Sequence, residues 1–205
     1  MNTGRRKEKV AALFAENFQH YEELGASFSV WQDGEELLSL ANGFRDRERT
    51  EVWSAETPVL VWSATKGPAA ACLLHACQER QVSLTSRIAE FWPEFGVNGK
   101  DAITIGQVLS HQAGLPALSV EISVFDYHAV VEALAAERPQ WPLGQGHGYH
   151  PRTYGFLLDE LVRRITGGTT LGDYWRFYFA GPLELDFWIG VDDARVRRGS
   201  RHPPP

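Results

Sequence analysis

Val59-Leu60-Val61-Trp62-Ser63-Ala64-Thr65-Lys66-Gly67-Pro68 is the stretch on which the reading of this chain turns. An extended apolar run passes into a helix here and delivers a serine and a lysine at positions i and i+3. Residues at that spacing share a helix face, so Ser63 and Lys66 are expected within mutual reach. Ala70, Leu73, Leu74 and Cys77 continue the same stripe, which predicts that the hydroxyl and the amine point inward. Ionic groups are costly in such a place unless they are paired or used.

Upstream of this stretch, Val10, Leu13, Phe14, Phe18 and Tyr21 recur at helical spacing, which predicts a helix from Arg5 to Leu24 ended by Gly25. Ala26–Trp31 and Glu36–Asn42 read as two strands around Gln32-Asp33-Gly34-Glu35, where Asp-Gly favours a tight hairpin. Phe44 to Thr57 is charged and irregular, a connecting loop. Downstream, the helix is expected to run to about Gln81, with Pro68 accommodated in its first turn. A loop carrying Phe91, Trp92 and Phe95 follows. Thr104 is a candidate cap for a short helix from Ile105 to Ser110, and Asp126 for one burying Tyr127, Val130, Val131 and Leu134.

Trp141 to Pro151 is a Gly- and Pro-rich loop. Tyr154, Leu157, Leu158, Leu161, Val162 and Ile165 then mark an amphipathic helix from Arg152 to Thr166, stopped by Gly167-Gly168, and a last helix is expected over Leu171 to Phe179. The order is one helix, a hairpin, and a long helical region. It divides residues 1–194 into a helix plus hairpin (1–55) and a mainly helical part (56–190). Residues 195–205, basic and Pro-rich without apolar periodicity, read as a disordered tail. Two strands make a marginal sheet alone, so the chain reads as short of strands.

The 205 residues suffice for a substantial core, and a formal net charge of −6 argues against a nucleic-acid partner. No run of about 18 apolar residues predicts a membrane span, and the N-terminus lacks the layout of a secretory signal. A cytoplasmic location is the resulting expectation. Cys72 and Cys77 share one predicted helix, too far apart for a disulfide and too sparse for a zinc site, so both read as reduced core residues. His147 and His150 lie in a Gly-rich loop with no carboxylate or cysteine close by, so no metal is assigned. Neither is a cofactor. His111 reads as a structural residue of the turn from Ser110 to Pro116.

A serine hydroxyl is a weak nucleophile until a base takes its proton, and a neighbouring lysine serves if it is neutral. A helix N-terminus and burial both favour the neutral form. A third group, a tyrosine or histidine, would then carry a proton to the leaving group.

Three segments occur in order: Trp62-Ser63-Ala64-Thr65-Lys66-Gly67, then Val108-Leu109-Ser110-His111-Gln112-Ala113-Gly114-Leu115-Pro116, then Gly148-Tyr149-His150-Pro151-Arg152-Thr153-Tyr154-Gly155. Together they resemble the serine β-lactamase and penicillin-binding-protein superfamily, in particular its class C-like branch of β-lactamase-related esterases. The resemblance covers roughly Ala26 to Gly190. It implies an α+β, β-lactamase/transpeptidase-like fold with a helical subdomain beside an antiparallel sheet. It also implies a serine hydrolase in which Ser63 is acylated, Lys66 is its general base and Tyr149 shares the proton relay. Trp62, Trp141 and His150 are then assigned to substrate contact, and the Ser63 N–H to half of an oxyanion hole.

The chain departs from the family pattern at two places. Pro151 stands where a Tyr-x-Asn element has asparagine, which is similar to carboxylesterase-like members and favours esters over lactams. No strand with a Lys/His/Trp-x-Gly motif follows Gly190, so the resemblance implies a protein cut short, its C-terminal strands missing. The expected partner is a small-molecule ester or amide. The rival expectation is a catalytically silent remnant that associates through an uncovered sheet edge.

Overall fold

Asp33 and Gly34 both take positive φ, 53° and 81°, the geometry of a two-residue hairpin turn that keeps the twist of its flanking strands. In the chain's structure, a computed structural model that describes residues 3–191, this turn joins β1 (Gly25–Gln32) to β2 (Glu35–Gly43). The two pair antiparallel from Gly25↔Gly43 to Gln32↔Glu35, with a bulge where Val30 faces Leu38 and Trp31 faces Glu36. Both strands extend slightly beyond the predicted ones. The closing pair is glycine on glycine because neither position admits a Cβ: at Gly25 it would meet the Phe44 carbonyl oxygen at 2.2 Å, and at Gly43 that of Leu24 at 2.2 Å.

The first helix, α1 (Thr3–His20), stops four residues before the expected end at Leu24. Glu22, at φ 55°, takes the left-handed position with which helices often end, and the N–H groups of Tyr21 and Glu23 donate to the Asn17 carbonyl. Gly25 is left free to start β1. The charged segment after the hairpin is organised around buried Asp46, whose carboxylate accepts from the Thr50 and Glu51 N–H groups and the Thr50 hydroxyl.

The chain divides into two compact units, with a boundary at Leu60/Val61. The second unit, Val61–Gly190, holds α2 (Lys66–Glu79), α3 (Ile105–Leu109), α4 (Tyr127–Ala136), α5 (Thr153–Thr166) and α6 (Leu171–Trp175). Its start signals act as expected. Thr104 accepts from the Gln107 N–H while the Gln107 side chain accepts from the Thr104 N–H, a reciprocal cap on α3, and Asp126 caps α4 through the Ala129 N–H. Gly167, at φ 79°, ends α5. The last helix differs from expectation: α6 ends at Trp175 and a π-helical turn, Arg176–Ala180, completes it.

The core of this unit lies where α2 packs on α5, flanked by α4 and α6. Leu73, Leu134, Leu157, Leu158 and Leu161 are fully buried in it, as are Trp92 and Phe95 from the loop after α2. The inner face of α2 is Ala69, Cys72, Leu73, Ala76 and Cys77, which includes the predicted Leu73 and Cys77, while the predicted Ala70 is only partly buried. Leu74 is exposed and Lys66 sits at the rim of the stripe. Burial pushes the Cys72 thiol up to about 12 and the Cys77 thiol up as well, so both behave as small apolar groups. Among the described residues, no helix is long and apolar enough to cross a membrane. The expected tail, residues 195–205, lies outside the described residues.

Candidate active site

Ser63 and Lys66 do not share one α-helix. Trp62–Thr65 forms a 3-10 turn, and Lys66 is the first residue of α2. The tighter winding improves the expected alignment, because side chains at i and i+3 eclipse in a 3-10 helix. Lys66 Nζ accordingly donates to Ser63 Oγ at 3.0 Å. The turn is entered through Trp62 at φ 46°, a left-handed conformation that is costly for a bulky residue, by about 1–3 kcal/mol. That backbone reversal places Ser63 on an exposed corner.

The pair therefore opens to solvent and does not point into the core. Ser63 is exposed and Lys66 half-buried. The aromatic Trp62 is 62% exposed beside them. The Ser63 N–H is at the second position of the 3-10 turn, where helix geometry supplies no intrahelical acceptor.

The Gly-rich loop brings Tyr149 and Pro151 to this corner across 85 residues of sequence. Lys66 Nζ donates to the Pro151 carbonyl at 2.8 Å and lies 4.7 Å from the centre of the Tyr149 ring. Hydrogen bonding to Lys66 first, and to Ser63 second, holds the Tyr149 phenol below the ordinary tyrosine range. Tyr149 itself is half open to solvent. A hydroxyl, an amine and a phenol are thus gathered on one accessible surface, each within reach of the others. Proline at 151 contributes a carbonyl acceptor and no side-chain amide.

His150, expected to contact substrate, is placed behind this surface at 1% exposure. Its Nε2 accepts from the Leu115 N–H at 2.9 Å and its Nδ1 donates to the Gly148 carbonyl at 2.6 Å, which uses both ring nitrogens. Burial, foremost, holds its imidazole below the ordinary histidine range. Trp141 packs within its own loop: its ring lies edge-on to His150 at 5.9 Å, and a Cβ at Gly148 would meet its Cη2 at 2.7 Å. Only Trp62 of the three expected contact residues stands beside Ser63.

His111 was expected to be merely a turn residue, yet the structure sets it against the site. Its ring packs on Tyr149 at 5.1 Å and on Tyr154 at 4.6 Å. Burial first, then the charges of Lys66 and His147, hold its imidazole below the ordinary range. Its position two residues after the end of the capped helix α3, between Ser110 and the Gly114 turn, was the available signal.

Three adjoining groups on an exposed corner, a helix-led core behind them and a hairpin unit define an α+β chain of the β-lactamase/transpeptidase-like class. Residues 10–205 match the beta-lactamase family model, and the chain belongs to that family. Among its relatives is the esterase/beta-lactamase LipL of Mycobacterium tuberculosis, 34% identical over 179 residues, covering 86% of this chain and 41% of LipL. A penicillin-binding protein homolog from Caulobacter crescentus superposes with a TM-score of 0.89 at 38% identity, over 98% of this chain and 54% of that one. A family VIII carboxylesterase superposes with a TM-score of 0.85 at 33% identity, over 95% and 54%. The chain spans about half, or less, of the length of these relatives.

Proposed function

We propose that this chain carries the nucleophile and proton-handling residues of a serine hydrolase acting on small esters. Ser63 Oγ attacks the ester carbonyl, and its proton passes to the Tyr149 oxygen as the C–O bond forms. The tetrahedral intermediate collapses when that proton reaches the departing alkoxide, so an alcohol leaves and an acyl group remains on Ser63. Water then repeats the sequence in reverse roles: it gives its proton to Tyr149, attacks the acyl carbon, and the proton returns to Ser63 Oγ as the acid is released.

One observation carries the reading: Lys66 is a hydrogen-bond donor to Ser63 and draws the Tyr149 phenol downward at the same time. A donor to Ser63 Oγ leaves the serine proton to be taken by another group. Tyr149 is that group, its affinity for a proton moved toward working pH, where general bases are most effective. Lys66 acts in this scheme by lowering the cost of the phenolate. The Ser63 N–H donates to the developing oxyanion. Trp62 stands where an acyl or alcohol group would lie.

The ester preference rests on position 151. A side-chain amide there is available to a lactam carboxamide, whereas Pro151 offers only the carbonyl already engaged by Lys66. The name of the family VIII carboxylesterase accords with that preference, whereas LipL is named for both esterase and beta-lactamase. The test is hydrolysis of p-nitrophenyl butyrate against a chromogenic cephalosporin by the same preparation. Faster ester turnover is expected, abolished by Ser63→Ala. Faster cephalosporin turnover would overturn the ester preference, and Ser63-independent ester turnover would overturn the site.

A further inference from the structure

His111 is bound to the loop on both sides of Tyr149. Its carbonyl accepts from the Gly148 N–H at 3.1 Å, and its Nδ1 accepts from the His150 N–H at 3.1 Å. The residue between those two amides is Tyr149. The imidazole then packs on the Tyr149 ring itself. Trp141 closes on Gly148 so tightly that no Cβ fits there. The backbone that carries the phenol is thus engaged by both His111 and Trp141.

His111 adopts φ 61°, a left-handed conformation that most side chains avoid and that histidine, like asparagine and aspartate, takes more often than they do. Such backbone persists where the surroundings over-determine it. Here the carbonyl and Nδ1 are both engaged, and Tyr149 and His150 from the loop and Tyr154 from α5 lie against the ring. The same loop segment continues into Pro151, whose carbonyl holds Lys66. Moving it would displace the phenol and the lysine together.

We propose that His111 is a positioning residue of the hydrolase site: its carbonyl and unprotonated Nδ1 clamp the backbone amides on either side of Tyr149 and so hold the phenol against Ser63 and Lys66. This rests on the reading of Ser63, Lys66 and Tyr149 given above. It adds a pH-dependent element. Nδ1 accepts from the His150 N–H only while it lacks a proton, so protonation of His111 opposes two hydrogens across that contact and releases one side of the clamp. The groups facing the imidazole are Lys66 on α2, His147, Tyr149 and His150 on the loop, and Tyr154 on α5. Burial and the Lys66 and His147 charges oppose protonation, which places the release on the acid side of the ordinary histidine range.

The experiment compares wild type, His111→Asn and His111→Gly in the full chain. Asparagine and glycine both tolerate the left-handed backbone, but only asparagine offers an acceptor oxygen near the Nδ1 position, and it does not titrate. Acylation by a fluorophosphonate is followed across pH. His111→Gly is expected to slow acylation by about 100-fold, the scale of a misplacement of about 1 Å, and His111→Asn to recover most of that loss. The wild-type rate should steepen in its fall on the acid side, and His111→Asn should lack that steepening. An unslowed His111→Gly, or an acid limb retained in His111→Asn, overturns the proposal. Amide exchange at His150 is measured in the same three proteins and needs no chemistry: faster exchange in His111→Gly than in His111→Asn is expected, and equal exchange overturns the clamp. Absence of labelling in folded wild type would instead overturn the hydrolase reading, leaving the exchange result to judge His111.

Discussion

Replacing Lys66 by methionine removes its amine and keeps most of its stem. The change deletes the 3.0 Å hydrogen bond to Ser63 Oγ, the 2.8 Å bond to the Pro151 carbonyl and the interaction that draws down the Tyr149 phenol. With that donor gone, Tyr149 returns toward the ordinary tyrosine range, and the fraction of phenolate at neutral pH falls. Positioned proton transfer is worth about two to four orders of magnitude in rate, or about 3–5 kcal/mol of barrier. The loss should therefore appear in the acylation step, with the alkaline rise of kcat/KM moved to higher pH. Stability should change little, because Lys66 sits at the rim of the core and methionine covers the same apolar surface. Stopped-flow release of p-nitrophenol from p-nitrophenyl butyrate, recorded from pH 6 to 10 beside a thermal melt, measures both quantities. A Lys66→Met variant within about threefold of wild type, with an unmoved pH profile, would refute this account of Lys66.

Three further outcomes are expected. Gly148→Ala should cost about 1–3 kcal/mol of stability and lower ester turnover, because the new methyl meets the Trp141 ring; a thermal melt and a steady-state assay measure the two effects. Glu160→Leu should destabilise α4 against α5 by about 1–3 kcal/mol in urea unfolding, because the buried carboxylate accepts from the Tyr127 hydroxyl at 2.9 Å and pairs with Arg164 at 2.7 Å. Neither Cys72 nor Cys77 should react with a thiol reagent in the native protein while both react in denaturant, since both are buried with thiols pushed up; rapid native labelling would contradict that packing.

How far the sequence revealed all this depends on the kind of signal. The hairpin was legible because Asp33-Gly34 demands a turn type, and α3, α4 and α5 because Thr104, Asp126 and Gly167 are local start and stop signals. Ser63 and Lys66 were legible as neighbours from spacing. Their surroundings were not: a 3-10 turn in place of an α-helix, entered through a left-handed tryptophan, turns them outward, and nothing in the apolar pattern of residues 59–68 records that reversal. The end of α1 was missed because Glu22 takes a position that composition assigns to Gly25.

The loop from Trp141 to Pro151 shows the limit most clearly. Gly and Pro content reads as a loop and nothing more, yet His150 within it is buried with both ring nitrogens used, and Trp141 closes over Gly148. These are contacts across 35 residues or more for the Leu115 amide and the His111 ring, which no local pattern carries. His111 was visible only as part of a turn. Its engagement on both sides of Tyr149 is a property of the folded loop.

The central claim is that Ser63 is the acylated residue of this chain. Incubation with a serine-reactive fluorophosphonate, digestion and mass spectrometry test it directly. The account predicts a single covalent adduct on the peptide containing Ser63, absent from Ser63→Ala and slowed in Tyr149→Phe. A folded protein that takes up no label, or that is labelled equally after Ser63→Ala, would contradict it.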